Sequence, residues 1–215
     1  MNKSHIYKKL QVAHDKTAAM RTDTPFMGVA FRRGCLKSVG DDVVMQGTWG
    51  PYVHSEFVLG KNSSDIRCYT ACSSPDSSKY REGFLSTQRW TSLTPPEGWE
   101  VIIFPINEGM TGYRKAYALI LQLLSLHIPY NYKDLWQCCV KAVLSHEKDV
   151  VCTDAKDWQR HGVFCSQACL LLLRQFANQN LITLSVHAQT LVNTINSRGC
   201  SPNCLYRIIS YAKKN

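Results

Sequence analysis

The order of two patterns along the 215-residue chain most constrains its fold: short β-type segments come first and helical segments follow. The β-type segments alternate apolar and polar residues, or form short apolar runs bounded by glycine, proline and asparagine. Beyond residue 110, apolar residues recur at three- and four-residue spacing, which is typical of helices. Strands grouped ahead of helices predict an α+β fold rather than alternating β–α units.

Two of the β-type segments predict a hairpin. Tyr52–Leu59 runs into the turn sequence Gly60-Lys61-Asn62, and Ile66–Cys72 alternates behind it. The other predicted strands are Phe26–Phe31, Val43–Met45, Phe84–Thr91 and Trp99–Ile106. The predicted helices are a run that begins at Thr111, then Tyr132–Leu144, Val163–Ala177, Leu184–Ile195 and Ser201–Tyr211.

The net charge of +9 is concentrated near the N-terminus, where residues 1–40 hold eight Lys/Arg and two Asp. We expect residues 1–25 to form a basic N-terminal helix or arm ahead of one domain, residues 26–215. This arm is either a solvated segment or a contact with an anionic surface, such as nucleic acid or lipid headgroups. The chain has no zinc-finger spacing and no RNP aromatic signature, which predicts no specific nucleic-acid recognition.

The chain shows neither a membrane span nor a secretory signal. Its longest apolar stretch, Ala116–Ile128, is short and interrupted by polar residues, and the basic N-terminus lacks a following apolar run. We therefore predict a cytoplasmic protein whose ten cysteines are reduced. No CxxC pair has a matching second half, so we expect no metal site and no cofactor.

Cys165 is the first candidate for chemistry because it stands where the strongest predicted helix begins, just after Gly162. The positive end of the helix dipole lowers the pKa of a thiol placed there. The backbone N–H groups of a first turn have no helical partner, so that of Cys165 can receive an oxyanion. The alternative is a core cysteine, because Cys165, Cys169, Leu172 and Phe176 share one helical face.

His54 is the candidate base. On a strand, His54 and Glu56 point to the same side, so that the carboxylate can orient the imidazole. The alternative is a polar pair at a sheet edge. A strand histidine and a cysteine at a helix start form a nucleophile–base pair where the fold brings them together.

These residues resemble the circularly permuted papain-like branch of the NlpC/P60 superfamily, which includes viral and phage proteins and the lecithin:retinol acyltransferase group. The resemblance covers roughly residues 26–210 and is closest to viral and phage members with a His-x-Glu strand and a Phe-Cys-Ser helix start. Six segments carry it in order: His54–Leu59, Cys68–Ala71, Trp99–Ile106, Pro129–Tyr132, Phe164–Gln167 and Ser201–Tyr206.

The resemblance implies an antiparallel sheet or small barrel packed against a helical bundle. It implies a thiol-dependent hydrolase, a cysteine peptidase or amidase, with Cys165 as nucleophile and oxyanion donor, His54 as base and Glu56 as orienting group. The substrate is then a peptide, an amide or an acyl lipid. The alternatives are an acyltransferase or lipid esterase with the same Cys–His pair, and an inactive viral binding or structural protein of the same fold.

Two positions depart from the pattern that the resemblance implies. Gln167 stands where a glutamate is usual, directly after the Phe164-Cys165-Ser166 motif. The third catalytic residue often lies on the strand after the histidine, where this chain offers Tyr69 and Thr70. Glu56 is therefore the first choice for that third role.

Overall fold

The computed structural model describes residues 24–35, 39–72, 83–92, 94–133, 135 and 159–212. The predicted basic arm, residues 1–25, lies almost entirely outside these ranges. So does most of the predicted helix Tyr132–Leu144.

The β-type segments form one antiparallel sheet. Its strands are β1 (Phe26–Arg33), β2 (Tyr52–Asn62), β3 (Asp65–Cys72), β4 (Gly83–Trp90) and β5 (Trp99–Pro105). They lie in the order β4-β3-β2-β1-β5, with β2 in the centre. In the described part of the chain β4 and β5 are the two edges, so the sheet is open rather than closed into a barrel.

The predicted hairpin is confirmed, because β2 pairs with β3 and places Gly60 opposite Ile66. The turn itself falls later than the sequence suggests, at residues 63 and 64. The Asn62 side chain stabilises it by accepting the Ser64 backbone N–H at 2.9 Å. Asparagine commonly makes this local bond at the start of a turn. The turn therefore begins after Asn62, and β2 extends past Gly60, which the sequence places in the turn.

One helix, α1 (Val39–Thr48), lies between β1 and β2, and the other described helices follow the strands, as predicted. They are α2 (Gly109–Ser125), α3 (Cys165–Asn178), α4 (Val186–Thr194) and α5 (Pro202–Ala212), with a 3₁₀ turn at Ser197–Gly199. The four predicted helices in the described ranges are confirmed as α2 to α5. Because, apart from α1, the described helices follow the strands along the chain, the α+β class is also confirmed.

The predicted strand Val43–Met45 is wrong, since these residues lie inside α1. Asp41 and Asp42 occupy the first turn of that helix, where negative charge is favourable. Asp41 also accepts hydrogen bonds from the Arg32 guanidinium at 3.2 and 3.3 Å, which ties the helix start to the end of β1. These contacts outweigh the β propensity of two adjacent valines.

The sheet buries both of its faces. Phe57 and Leu59 of β2 lie on the face that packs against the helices, in the main core. Val58 lies on the opposite face in a second cluster with Cys68 and Trp90. Alternation along β2 therefore sends neighbouring side chains into two different interiors.

Helix α5 is fastened to the first residue of β2. The Asn203 side chain accepts the Tyr52 backbone N–H and donates to the Tyr52 carbonyl oxygen, both at 2.9 Å. The buried Glu100 carboxylate of β5 accepts the Tyr52 hydroxyl at 2.5 Å and the Tyr206 hydroxyl at 2.6 Å. Together these bonds fix where β2 begins, two residues ahead of His54.

Within the described ranges, every helix falls short of the length and apolar character that crossing a bilayer requires.

Candidate active site

The backbone before α3 places Cys165 at the first position of that helix. Gly162 has φ +69°, and a Cβ there would lie 2.7 Å from the Pro129 carbonyl oxygen, so the chain needs glycine. The Val163 N–H donates to that same oxygen at 3.0 Å. Phe164 is extended, and the helix starts at the next residue.

Gln167 caps this helix start. Its side-chain Oε1 accepts the Phe164 backbone N–H at 3.3 Å, and the residue is 1% exposed. A glutamate would offer the same acceptor, so the departure at Gln167 keeps the capping function while removing a negative charge. The Gln167 side chain, two residues after Cys165, is therefore bonded to the backbone of Phe164 and has a structural role at this helix start.

His54 and Glu56 lie on one side of β2, as the alternation predicts. The His54 Nε2 and Glu56 Oε1 atoms are 3.5 Å apart. Glu56 is 5% exposed, and its other oxygen, Oε2, accepts the Thr87 hydroxyl of β4 at 3.1 Å. Thr87 thus holds the carboxylate that faces the imidazole.

The thiol reaches the imidazole where β2 and β3 separate. Their ladder starts at the pair Phe57–Tyr69, so the earlier residues of β2 lie beyond it. There the Ser55 carbonyl oxygen accepts the Thr70 hydroxyl at 2.8 Å instead of a backbone N–H. The Ser55 backbone amide acts on the Cys165 sulfur and lowers the pKa of that thiol. Helix α3 packs on the helical side of the sheet, and this gap gives its thiol access to His54.

The Cys165 thiol and the His54 imidazole shift each other's pKa. Burial raises the pKa of Cys165, but it is outweighed by the positive imidazole, its hydrogen bond, and the backbone amides of Ser55 and Ser166, so the pKa is lowered. Burial would lower the pKa of His54, but the thiolate and Glu56 raise it to about 9. Both shifts favour a thiolate–imidazolium pair at neutral pH.

Cys169, one turn further along α3, has the opposite character. Burial raises the pKa of its thiol well above the usual value, and the Cys165 thiolate raises it further. The side chain is fully buried in the main core. It is the core cysteine that the helical face predicted, whereas Cys165 has the environment of a reactive thiol.

Aromatic side chains surround the pair. Trp99 of β5 meets the His54 ring edge-on, with ring centroids 6.0 Å apart. Tyr130 and Leu135 pack against the cluster of Phe164 and Cys165. These apolar neighbours limit the access of water to the Cys165–His54 pair. Cys165 is 3% exposed, and the His54 side chain is 21% exposed.

The structure therefore brings together His54, Glu56 and Cys165, the three residues that the sequence selects. Their catalytic roles stay predictions. Sequence reasoning missed Thr87, which lies on a strand that is not adjacent to β2 in the chain, and the Ser55 amide, because backbone groups leave no mark in a sequence. Among the described residues, no cluster of three or more His, Cys, Asp or Glu side chains has the arrangement needed to hold a metal ion.

No family model matches this chain, and neither a curated protein nor a solved structure is significantly similar to it.

Proposed function

We propose that this protein is a thiol-dependent acyl-transfer hydrolase, a cysteine peptidase or amidase of the permuted papain-like kind. One observation carries the proposal: the thiol at the start of α3 and the His54 imidazole shift each other's pKa towards the ion pair, and a buried Glu56 oxygen lies 3.5 Å from His54 Nε2. A nucleophile, a base and an orienting group in that order are the parts that thiol acyl transfer needs.

In the proposed reaction, the Cys165 thiolate attacks an amide, ester or thioester carbonyl carbon. The Cys165 backbone N–H, free of a helical partner at the first position of α3, supports the oxyanion. The His54 imidazolium gives its proton to the leaving group as the tetrahedral intermediate collapses to a thioester. His54, now neutral, then takes a proton from water, which attacks the thioester and restores the thiolate.

Glu56 serves as the orienting group in this proposal. Its Oε1 faces His54 Nε2, and the Thr87 hydroxyl fixes its other oxygen. A carboxylate in this position stabilises the imidazolium and holds the ring plane. The residue lies on the same strand as the histidine, whereas the family pattern often uses the next strand.

The first experiment titrates iodoacetamide alkylation of all ten cysteines against pH, with each site read by peptide mass spectrometry. We expect Cys165 to react fastest, with a midpoint well below the roughly 8.5 of a free thiol. His54→Ala should abolish this advantage, because the imidazolium that stabilises the thiolate is gone. His187→Ala, at an exposed position on α4, is the matched control.

A Cys165 that reacts no faster than its neighbours, with or without His54, contradicts the proposal and leaves a binding or structural protein. A reactive Cys165 justifies a substrate comparison with peptide amides in one arm and acyl lipids in vesicles in the other. Release of peptide fragments supports the peptidase or amidase. Turnover of the lipid alone assigns the same pair to an acyltransferase or lipid esterase.

A further inference from the structure

The opening between β2 and β3 leaves backbone groups that the sheet does not pair. The β2–β3 ladder ends at Phe57 and Tyr69, while β3 continues alongside β4 as far as the pair Cys72–Gly83. Ser55 is opposite Phe31 of β1 on one side, but on the β3 side it faces the gap rather than a partner strand. It is fully buried, and buried backbone groups require hydrogen-bond partners.

The backbone carbonyl oxygen and the backbone N–H of Ser55 each have a neighbour in the gap. The Thr70 hydroxyl, itself 1% exposed, donates to the Ser55 carbonyl oxygen at 2.8 Å. The Ser55 backbone amide lowers the pKa of the Cys165 thiol, which means that it faces the sulfur. In an antiparallel strand, the N–H and C=O of one residue point toward the same neighbour. The hydroxyl and the sulfur therefore lie on the same side of β2, in the gap.

The Thr70 hydroxyl has one proton to donate. Of its two possible acceptors, the Ser55 carbonyl oxygen is the nearer, at 2.8 Å. The alternative acceptor, the Ala71 carbonyl oxygen, is 3.3 Å away. The Thr70 hydroxyl therefore replaces the inter-strand hydrogen bond that a backbone N–H of β3 would make to the Ser55 carbonyl oxygen. Without this bond, the orientation of Ser55 in the gap is not fixed by β3.

We infer that Thr70 is a positioning residue of the site: its hydroxyl holds Ser55 so that the Ser55 amide points at the Cys165 sulfur. The inference rests on the proposed function, since it gives a role to a residue that touches neither substrate nor nucleophile. It also gives the strand after the histidine a part in the site, although that strand supplies no third catalytic side chain.

An amide N–H stabilises a thiolate far more than a neutral thiol, because sulfur is a weak acceptor until it is charged. The other titratable groups that act on the Cys165 sulfur are His54, with Glu56 behind it, and Cys169 on α3. None of them is bonded to Thr70 in the structure. The Ser166 amide, which also lowers the Cys165 pKa, lies on α3, so the bond from Thr70 to Ser55 is the route by which the Thr70 hydroxyl reaches the thiol.

The test compares Thr70→Ser with Thr70→Ala, which both lose the methyl group and differ in the hydroxyl alone. Thr70→Val adds a variant of nearly the same shape without the hydroxyl. We expect Val and Ala to raise the midpoint pH of Cys165 alkylation by about one unit, which is about tenfold in rate below the midpoint. The Ser variant should stay within about 0.3 unit of the wild type.

Thr190→Val is the matched control, because Thr190, an exposed residue of α4, also donates its hydroxyl to a carbonyl oxygen, that of Val186. It should leave the Cys165 midpoint unchanged. Equal midpoints for the Ser and Ala variants overturn the inference, provided that circular dichroism shows both folded. In that case a low midpoint in the wild type still supports the proposed function, so the two failures are distinct.

A measurement on the wild type covers the case in which the Ala and Val variants do not fold. In a ¹H–¹⁵N spectrum, the Ser55 amide signal should titrate with the Cys165 thiol and lose this dependence after alkylation. A Ser55 amide that does not respond to Cys165 ionisation overturns the inference directly.

Discussion

Replacing Glu56 by glutamine tests the charge behind the imidazole. Glutamine keeps an oxygen for the Thr87 hydroxyl and nearly the same volume, so the change removes little but the negative charge. The His54 pKa, raised to about 9 by the Cys165 thiolate and Glu56 against burial, should then fall. The fall in the His54 pKa measures how much Glu56 stabilises the imidazolium.

The separation of the two groups sets the size of the effect. At 3.5 Å, a full Coulomb interaction is about 5 kcal/mol for an effective dielectric constant of about 20. The His54 side chain is 21% exposed, so water screens part of this energy. Hydrogen bonds to charged groups contribute about 1.5–3 kcal/mol in mutational series, which is about one to two pKa units.

The assay follows the His54 Cε1–H signal by NMR as the pH changes. The protonated imidazole is lost as pH rises through its pKa, so a lower pKa moves this loss to lower pH. We expect the midpoint in Glu56→Gln to be about one to two units below that of the wild type. Activity at high pH, which needs imidazolium as the acid, should fall over the same range.

Glu97→Gln is the control, since Glu97 is an exposed residue in the turn before β5. It should leave the His54 midpoint where it is. A midpoint in Glu56→Gln within about 0.3 unit of the wild type would refute the reasoning, because an adjacent buried charge cannot be that weakly felt.

Two further changes test the scaffold. Gln167→Ala should lower the free energy of unfolding by about 1–2 kcal/mol, because the buried Phe164 amide loses its acceptor. Gln167→Glu should keep the Cys165 alkylation rate within about twofold at pH 7, and a tenfold change would mean that this side chain acts on the thiol. Asn203→Ala should lower the free energy of unfolding by about 3 kcal/mol in urea titrations, because both backbone groups of Tyr52 lose partners. A loss below about 1 kcal/mol would show that water replaces the amide there.

Much of the architecture follows from local patterns. The alternation of Tyr52–Leu59 and Ile66–Cys72 predicts the hairpin, and the spacing of apolar residues predicts α2 to α5. These predictions succeed because period two and period 3.6 are properties of the chain itself. The prediction at Val43–Met45 fails because three residues hold too little periodicity to overcome a helix start that Arg32 and Asp41 stabilise from outside.

The candidate site divides in the same way. Sequence alone places His54 and Glu56 on one side of a strand and Cys165 at a helix start, because each fact depends on neighbours along the chain. Only the tertiary structure joins them across about 110 residues. No local pattern encodes the separation of β2 from β3, because it depends on how the strands and α3 pack. The same holds for the Thr70 bond across that gap and for the Ser55 amide that lies in it.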